Sequence, residues 1–204
     1  MSSELIAIQT ALRDRIPVPD EEFDAQFPKM QRYRSSVHWT PIEVALRVAE
    51  LLEPSPGGRI LDVGSGVGKA CIVGALTTAA TWFGVERSPP MVRAAQMTAR
   101  RFGVEHRTRF VVGEAFLVDW SPFGGIYLYN PFAEALFDGV IDAGERRETY
   151  LDEVHAVERK LAEAKIGTHV VTYHGFGGDM PESFERVVQE KVREDEVCLW
   201  LKRE

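Results

Sequence analysis

The stretch Ile60–Ala70, ILDVGSGVGKA, joins an apolar run to three glycines at alternate positions and a lysine. The run RILDV (59–63) is short and almost wholly apolar, as in a strand buried on both faces of a parallel sheet. Gly64, Gly66 and Gly68 then make a turn whose backbone can take conformations that side chains disfavour. KACIVGALTTA follows as a helix. Strand, glycine turn and helix in that order predict one unit of a doubly wound sheet. The turn lies at the carboxyl end of the strand, where such sheets hold ligands.

Outward from this unit the pattern repeats. TPIEVALRVAELL (40–52) reads as a preceding helix, with Thr40 as its cap, Pro41 at the first position and Glu43 completing a capping box. Ile42, Leu46, Ala49 and Leu52 form its apolar stripe. TWFGVE (81–86) is a second strand. Ser88 and Pro89 open a helix that buries Val92, Ala95, Ala99 and Phe102 and ends at Gly103. TRFVVG (108–113) and GGIYLYN (124–130) are the third and fourth strands. Tyr150, Val154, Val157 and Leu161 repeat at helical spacing before the fifth strand, GTHVVTYHG (167–175). SFERVVQE and EVCLWLKR read as a final hairpin joined by the charged turn KVRED. The expectation is an α/β fold: a doubly wound, mostly parallel seven-stranded sheet with a C-terminal antiparallel hairpin and helices on both faces.

That domain occupies residues 41–204. Residues 1–40 read as an N-terminal helical extension. Leu5, Ile8 and Leu12 mark a helix that Pro17 and Pro19 end. A polar stretch carrying Phe23, Phe27, Tyr33 and Trp39 follows, either a lid that closes over a ligand or a strap packed on the core.

With 204 residues, 45% of them hydrophobic, the chain can bury one sizeable core. A net charge of −7 argues against a nucleic-acid partner, despite local basic groups such as Lys29, Arg32, Arg34 and Arg100, Arg101, Arg107, Arg109. Cys71 and Cys198 form neither a disulfide framework nor a zinc pattern, and no His, Cys, Asp or Glu cluster has metal-ligand spacing. The first residues lack a signal-peptide core, and no apolar run approaches the ~20 residues of a membrane span. The expectation is a soluble, cytoplasmic protein without metal or membrane contact.

Three ligands compete for the glycine turn. A P-loop needs a glycine five residues before Gly68 and a hydroxyl after Lys69; Val63 and Ala70 occupy those places. A dinucleotide turn needs a third glycine where Lys69 stands. Asp62 would also repel the pyrophosphate at the helix N-terminus. The ammonium and sulfonium of S-adenosylmethionine suit Asp62 instead. Lys69 is then expected at the helix start, partly exposed, toward the ligand's carboxylate.

ILDVGSGVGKA resembles the first motif of the class I (Rossmann-like) S-adenosylmethionine-dependent methyltransferases, and the order of elements extends that resemblance over residues 41–204. It implies S-adenosylmethionine as cofactor. Asp62, Gly64, Ser65, Gly66 and Gly68 would cradle the methionine moiety. Glu86, with Arg87 beside it, would accept the ribose hydroxyls. Glu114 resembles the acidic position that meets the adenine amino group, with Ala115 and Phe116 against the ring. DVGSGVGK followed by GVE is also similar to non-SET histone-lysine methyltransferases, a likeness confined to the cofactor motifs.

YLYNPF (127–132) closes the fourth strand. A residue before proline is pushed toward extended backbone, which would hold Asn130 at the rim. Its carbonyls can accept hydrogen bonds from an amine, and Phe132 can cover the nitrogen as it becomes cationic. This resembles the [D/N/S]-P-P-[Y/F/W] motif of amino-group methyltransferases, with one proline instead of two. Asn130, Pro131 and Phe132 are thus the catalytic candidates, with Asn130 also against the cofactor. His174, Tyr127, Tyr129 and His38 are candidate bases, the tyrosines more plausibly core residues. Three readings stay open: methyl transfer to a nitrogen of a protein side chain or small molecule, a small-molecule O-methyltransferase, and a non-catalytic S-adenosylmethionine-binding protein.

Overall fold

The computed structural model describes residues 2–32, 39–131 and 143–204. Its strands are β1 (Arg59–Val63), β2 (Thr81–Glu86), β3 (Thr108–Val112), β4 (Gly125–Leu128), β5 (His169–Tyr173), β6 (Phe184–Val192) and β7 (Asp195–Lys202). They form one sheet in the order β3-β2-β1-β4-β5-β7-β6. The first five run parallel, and β7 enters antiparallel between β5 and β6. The expected doubly wound sheet is therefore present. Its winding reverses between β1 and β4, which sets the ligand crevice at their carboxyl ends.

The helices are α1 (Ser3–Arg13), α2 (Asp20–Asp24), α3 (Ile42–Leu52), α4 (Lys69–Thr77), α5 (Pro89–Arg101) and α6 (Ala143–Ala162). Two apolar cores lie on the two faces of the sheet. Because alternate strand residues point oppositely, Ile60 joins the core of α1, α3, α4 and α5, whereas Leu61 and Val63 join that of α6. Tyr127 follows Ile60, while Ile126 and Leu128 follow Leu61.

Phe23, Phe27 and Trp39 of the N-terminal segment are part of the first core. Phe23 stacks on Phe102 with ring centroids 5.0 Å apart, and Phe27 meets Trp39 edge-on at 4.9 Å. Gln9 ties α1 to the same place by donating to the Phe102 carbonyl at 2.8 Å. Tyr33 and His38 lie outside the described residues.

Two local expectations are corrected by tertiary contacts. Thr40 does not cap α3. Pro41 is the cap residue, and the Ile42 N–H at the helix start is taken by Asp20 Oδ1 at 2.8 Å. A remote carboxylate thus satisfies the donor that a local cap would have served. The Thr40 hydroxyl instead meets the Tyr127 hydroxyl at 3.2 Å. The stripe on α3 is also broader than a single face: Val44, Ala45, Val48 and Leu51 are buried, and Leu46 is only half-buried.

KVRED proves to be mostly strand, with Lys191 and Val192 paired to Glu196 and Asp195. Only Arg193 and Glu194 turn the chain. Arg193 takes φ of +56°, the sign that two-residue hairpin turns favour.

Candidate active site

The turn after β1 is held by its own backbone. Gly64, Gly66 and Gly68 have φ of +73°, +53° and +75°, a region costly for other residues. The N–H groups of Gly64 and Ser65 both donate to the Val85 carbonyl at 3.0 Å, pinning the turn to β2. Gly66 N–H donates to Glu86 Oε2 at 3.0 Å, and Glu86 Oε1 accepts from Ser88 N–H at 2.7 Å. One carboxylate therefore joins the turn after β1 to the start of α5.

Gly64 also explains how the β4 turn reaches this place. A Cβ there would lie 3.0 Å from Pro131 Cβ, so the missing side chain lets the Asn130–Pro131 turn close on the loop. A Cβ at Gly68 would fall 2.4 Å from the Phe110 ring.

Asp62 is buried in β1 beneath the turn. Burial, reinforced by the charge of Glu86, pushes its carboxyl up to about 7, although the Cys71 thiol donates to Oδ2 at 3.3 Å. A buried acid poised there gains most from an arriving cation. Trp39, Thr40, Asp62, Ser65, Tyr127 and Tyr129 help line a small cleft above it.

Two buried acceptors here, Ser65 Oγ and Asn130 Oδ1, have no hydrogen-bond partner among the described residues. Unpaired buried polar atoms are costly, and a polar ligand in the cleft that Ser65 lines would offer it a partner. The buried Asp62 carboxylate and Ser65 fit the polar, cationic methionine end of S-adenosylmethionine.

Asn130 departs from expectation in its backbone. Its φ is +35° rather than extended. Its N–H donates to the Gly175 carbonyl at 2.9 Å, and this bond to the segment after β5 overrides the bias before proline. Asparagine is among the residues that tolerate the left-handed region. Pro131 is in place against the loop, whereas Phe132 lies outside the described residues.

Arg87 and Glu114 come together at the rim, 3.7 Å apart. Arg87 also donates to Glu153 Oε1 on α6 at 2.6 Å. Ala115 is buried in the α6 core beside this group, and Phe116 is half-buried.

Lys69 is the clearest surprise. It is 3% exposed rather than partly open, and Nζ lies 2.7 Å from both Asp20 Oδ1 and Asp24 Oδ1 of α2. Burying a cation is tolerable only with such pairing. Burial raises the Asp24 carboxyl despite Lys69. Burial opposes ionisation of Asp20 as well, but Lys69, the Ile42 N–H and Arg193 at 2.5 Å hold Asp20 below the ordinary carboxylate range. The acidic run DEEFD carried this signal, since a lysine without a phosphate must find carboxylates elsewhere.

Among the candidate bases, Tyr127 is fully buried against Thr40, and burial pushes its phenol well above its usual range. Tyr129 is half-buried, its ring 5.0 Å from that of Tyr173. His174 is exposed at the rim and pairs with Asp195.

A family model described as a methyltransferase domain matches residues 54–198. The chain is 38% identical over 96 residues to a release factor glutamine methyltransferase of Rhodospirillum rubrum, covering 46% of this chain and 28% of that protein. It is 37% identical over 87 residues to a protein-L-isoaspartate O-methyltransferase of Pelodictyon phaeoclathratiforme, covering 42% and 39%. The matches thus span well under half of these relatives. The crystal structure of an RNA methyltransferase from Salinibacter ruber in complex with S-adenosyl-L-homocysteine superposes with a TM-score of 0.59 at 25% identity, covering 81% of this chain and 94% of that one. With its glycine turn, its buried Asp62 and this match over most of its length, the chain belongs to the class I S-adenosylmethionine-dependent methyltransferases.

Proposed function

We propose that this methyltransferase transfers its methyl group to a nitrogen of a protein side chain or small molecule. The observation that carries the reading is Asn130 Oδ1, a buried acceptor without a partner among the described residues, in a turn packed against the glycine loop. When bound, S-adenosylmethionine supplies a methyl group activated by its sulfonium.

The chain's own residues supply position and charge. Asp62 takes the ammonium of the methionine moiety, which returns its carboxyl toward the ordinary ionised state. Ser65 Oγ offers a second polar contact. Glu86, already bound to Gly66, accepts from the ribose, while Glu114 and Ala115 mark the adenine end, with Arg87 holding Glu114 at the rim. Asn130 Oδ1 accepts an N–H of the incoming nitrogen and so aims its lone pair at the methyl carbon. Orientation of this kind lowers the barrier without a change in the protein's covalent state.

Asn130→Ala should lower kcat by about 10²-fold, the scale set by removing one well-placed hydrogen-bonding group. Binding of S-adenosylhomocysteine, followed by calorimetry, should stay within about twofold, since Asp62 and the loop remain. Unchanged turnover would remove Asn130 from the reaction. Tritiated methyl transfer into protein, nucleic-acid and small-molecule fractions of a lysate identifies the acceptor class.

A further inference from the structure

We propose that His174, oriented by Asp195, takes the proton of the acceptor, and that the acceptor is therefore a basic amine rather than an amide. This rests on the nitrogen-directed reading above and names the substrate class of that site.

Three elements meet at one corner of the rim. β5 ends at Tyr173, and His174 turns the chain with φ of +56°. β7 runs antiparallel to β5, with Tyr173 opposite Val197, which brings Asp195 at the start of β7 beside the end of β5. The Asp195 Oδ2 pairs with His174 Nδ1, and Oδ1 accepts the Glu196 N–H at 2.6 Å, so the carboxylate is fixed at both oxygens.

This corner adjoins the Asn130 turn and Tyr129 of the cleft. The Gly175 carbonyl, next in sequence to His174, holds the Asn130 N–H at 2.9 Å. The Tyr173 ring, one residue before His174, lies 5.0 Å from Tyr129, which lines the cleft. Asp195 also acts electrostatically on both phenols. With Nδ1 engaged and the side chain 58% exposed, the ring nitrogen left to a ligand is Nε2. A histidine whose Nδ1 is fixed by a carboxylate has its tautomer set for accepting a proton at Nε2.

The chemistry then selects the substrate. An amide nitrogen arrives neutral and loses its N–H proton only as the N–C bond forms, so its attack needs no prior deprotonation of a cation. A basic amine arrives as an ammonium without a lone pair, and the aromatic surface of Tyr129 suits such a cation. The N–H bond breaks, its proton passing to His174 Nε2, and Asp195 stabilises the imidazolium through Nδ1–H. The freed lone pair forms the N–C bond while the methyl carbon's bond to sulfur breaks, its electron pair leaving with sulfur. The other charges around this corner are Arg193 and Glu194 in the hairpin turn and Lys191 on β6, and Arg193 is itself bound to Asp20.

The test uses the full chain, tritiated S-adenosylmethionine and the lysate fraction that takes up most label, with the labelled atom located by mass spectrometry. Label is expected on an amine nitrogen. His174→Gln should lower kcat/KM about 10²-fold near pH 7, the gap closing at high pH where the amine loses its proton unaided. S-adenosylhomocysteine binding should be unchanged. Asp195→Asn should give the same pH dependence with a smaller loss, and it decides the matter if His174→Gln does not fold. Wild-type rates and pH profile in the folded variants would overturn the role of His174. Label on an amide nitrogen would overturn the amine assignment alone. Label on oxygen or carbon, or no transfer, would remove the nitrogen-directed reading itself.

Discussion

At the end of β1 the chain turns on Gly64, Gly66 and Gly68, whereas at the ends of β4 and β5 it turns on Asn130 and His174. Both corners use left-handed backbone, but only the second forces it on residues with side chains. Glycine reaches that region at no steric cost, so the first corner places N–H groups and close backbone approach with nothing projecting. Asn130 and His174 spend conformational strain to project an amide and an imidazole. The difference matches the two partners of the proposed function, in which a cofactor of constant shape would be received by backbone and an acceptor would be read by side chains.

The largest effect expected tests whether the glycine corner stands on its own. Lys69→Met leaves Asp20 and Asp24 without their buried partner, and breaking such a pair costs about 3–5 kcal/mol. Urea unfolding should show that loss, with weaker S-adenosylhomocysteine binding in the same variant. Unchanged stability would mean that α2 contributes nothing to the loop.

Asn130→Gly sharpens the contrast from the other side. It keeps the backbone conformation and removes only the side chain, so the melting temperature should hold within a few degrees while kcat falls about 10²-fold. Retained turnover would make the second corner a backbone device like the first.

The smallest effect concerns pH. The Asp62 carboxyl is raised by burial to about 7 in the fold, above its unfolded value near 3.8. Its contribution to stability is complete below that unfolded value and is lost as pH rises through about 7, because the unfolded chain ionises first. A bound ammonium needs the carboxylate, so S-adenosylhomocysteine affinity should rise about tenfold between pH 6 and 8. Asp62→Asn should flatten that slope in calorimetric titrations. A flat wild-type profile would separate Asp62 from the ammonium.

The glycine corner was legible because its information is local. Three glycines after an apolar run specify a turn wherever they occur, and Glu86 follows at the end of the neighbouring strand. The acceptor corner was legible only in its residue types. YLYNPF named Asn130 but suggested extended backbone, since the Gly175 carbonyl that bends it belongs to a segment 45 residues later. The burial of Lys69, expected to be partly exposed, was hidden for the same reason: its carboxylates lie 49 and 45 positions earlier, in a loosely polar stretch.

Apolar periodicity and turn chemistry are properties of neighbours along the chain, so the sequence by itself determined the seven-stranded sheet, its winding and the position of the glycine turn. Which carboxylates neutralise Lys69, which carbonyl bends Asn130 and which acid orients His174 were decided only by the tertiary structure. Those contacts join residues far apart in sequence, and they exist only once the sheet has brought the ends of β1, β4, β5 and β7 to one rim.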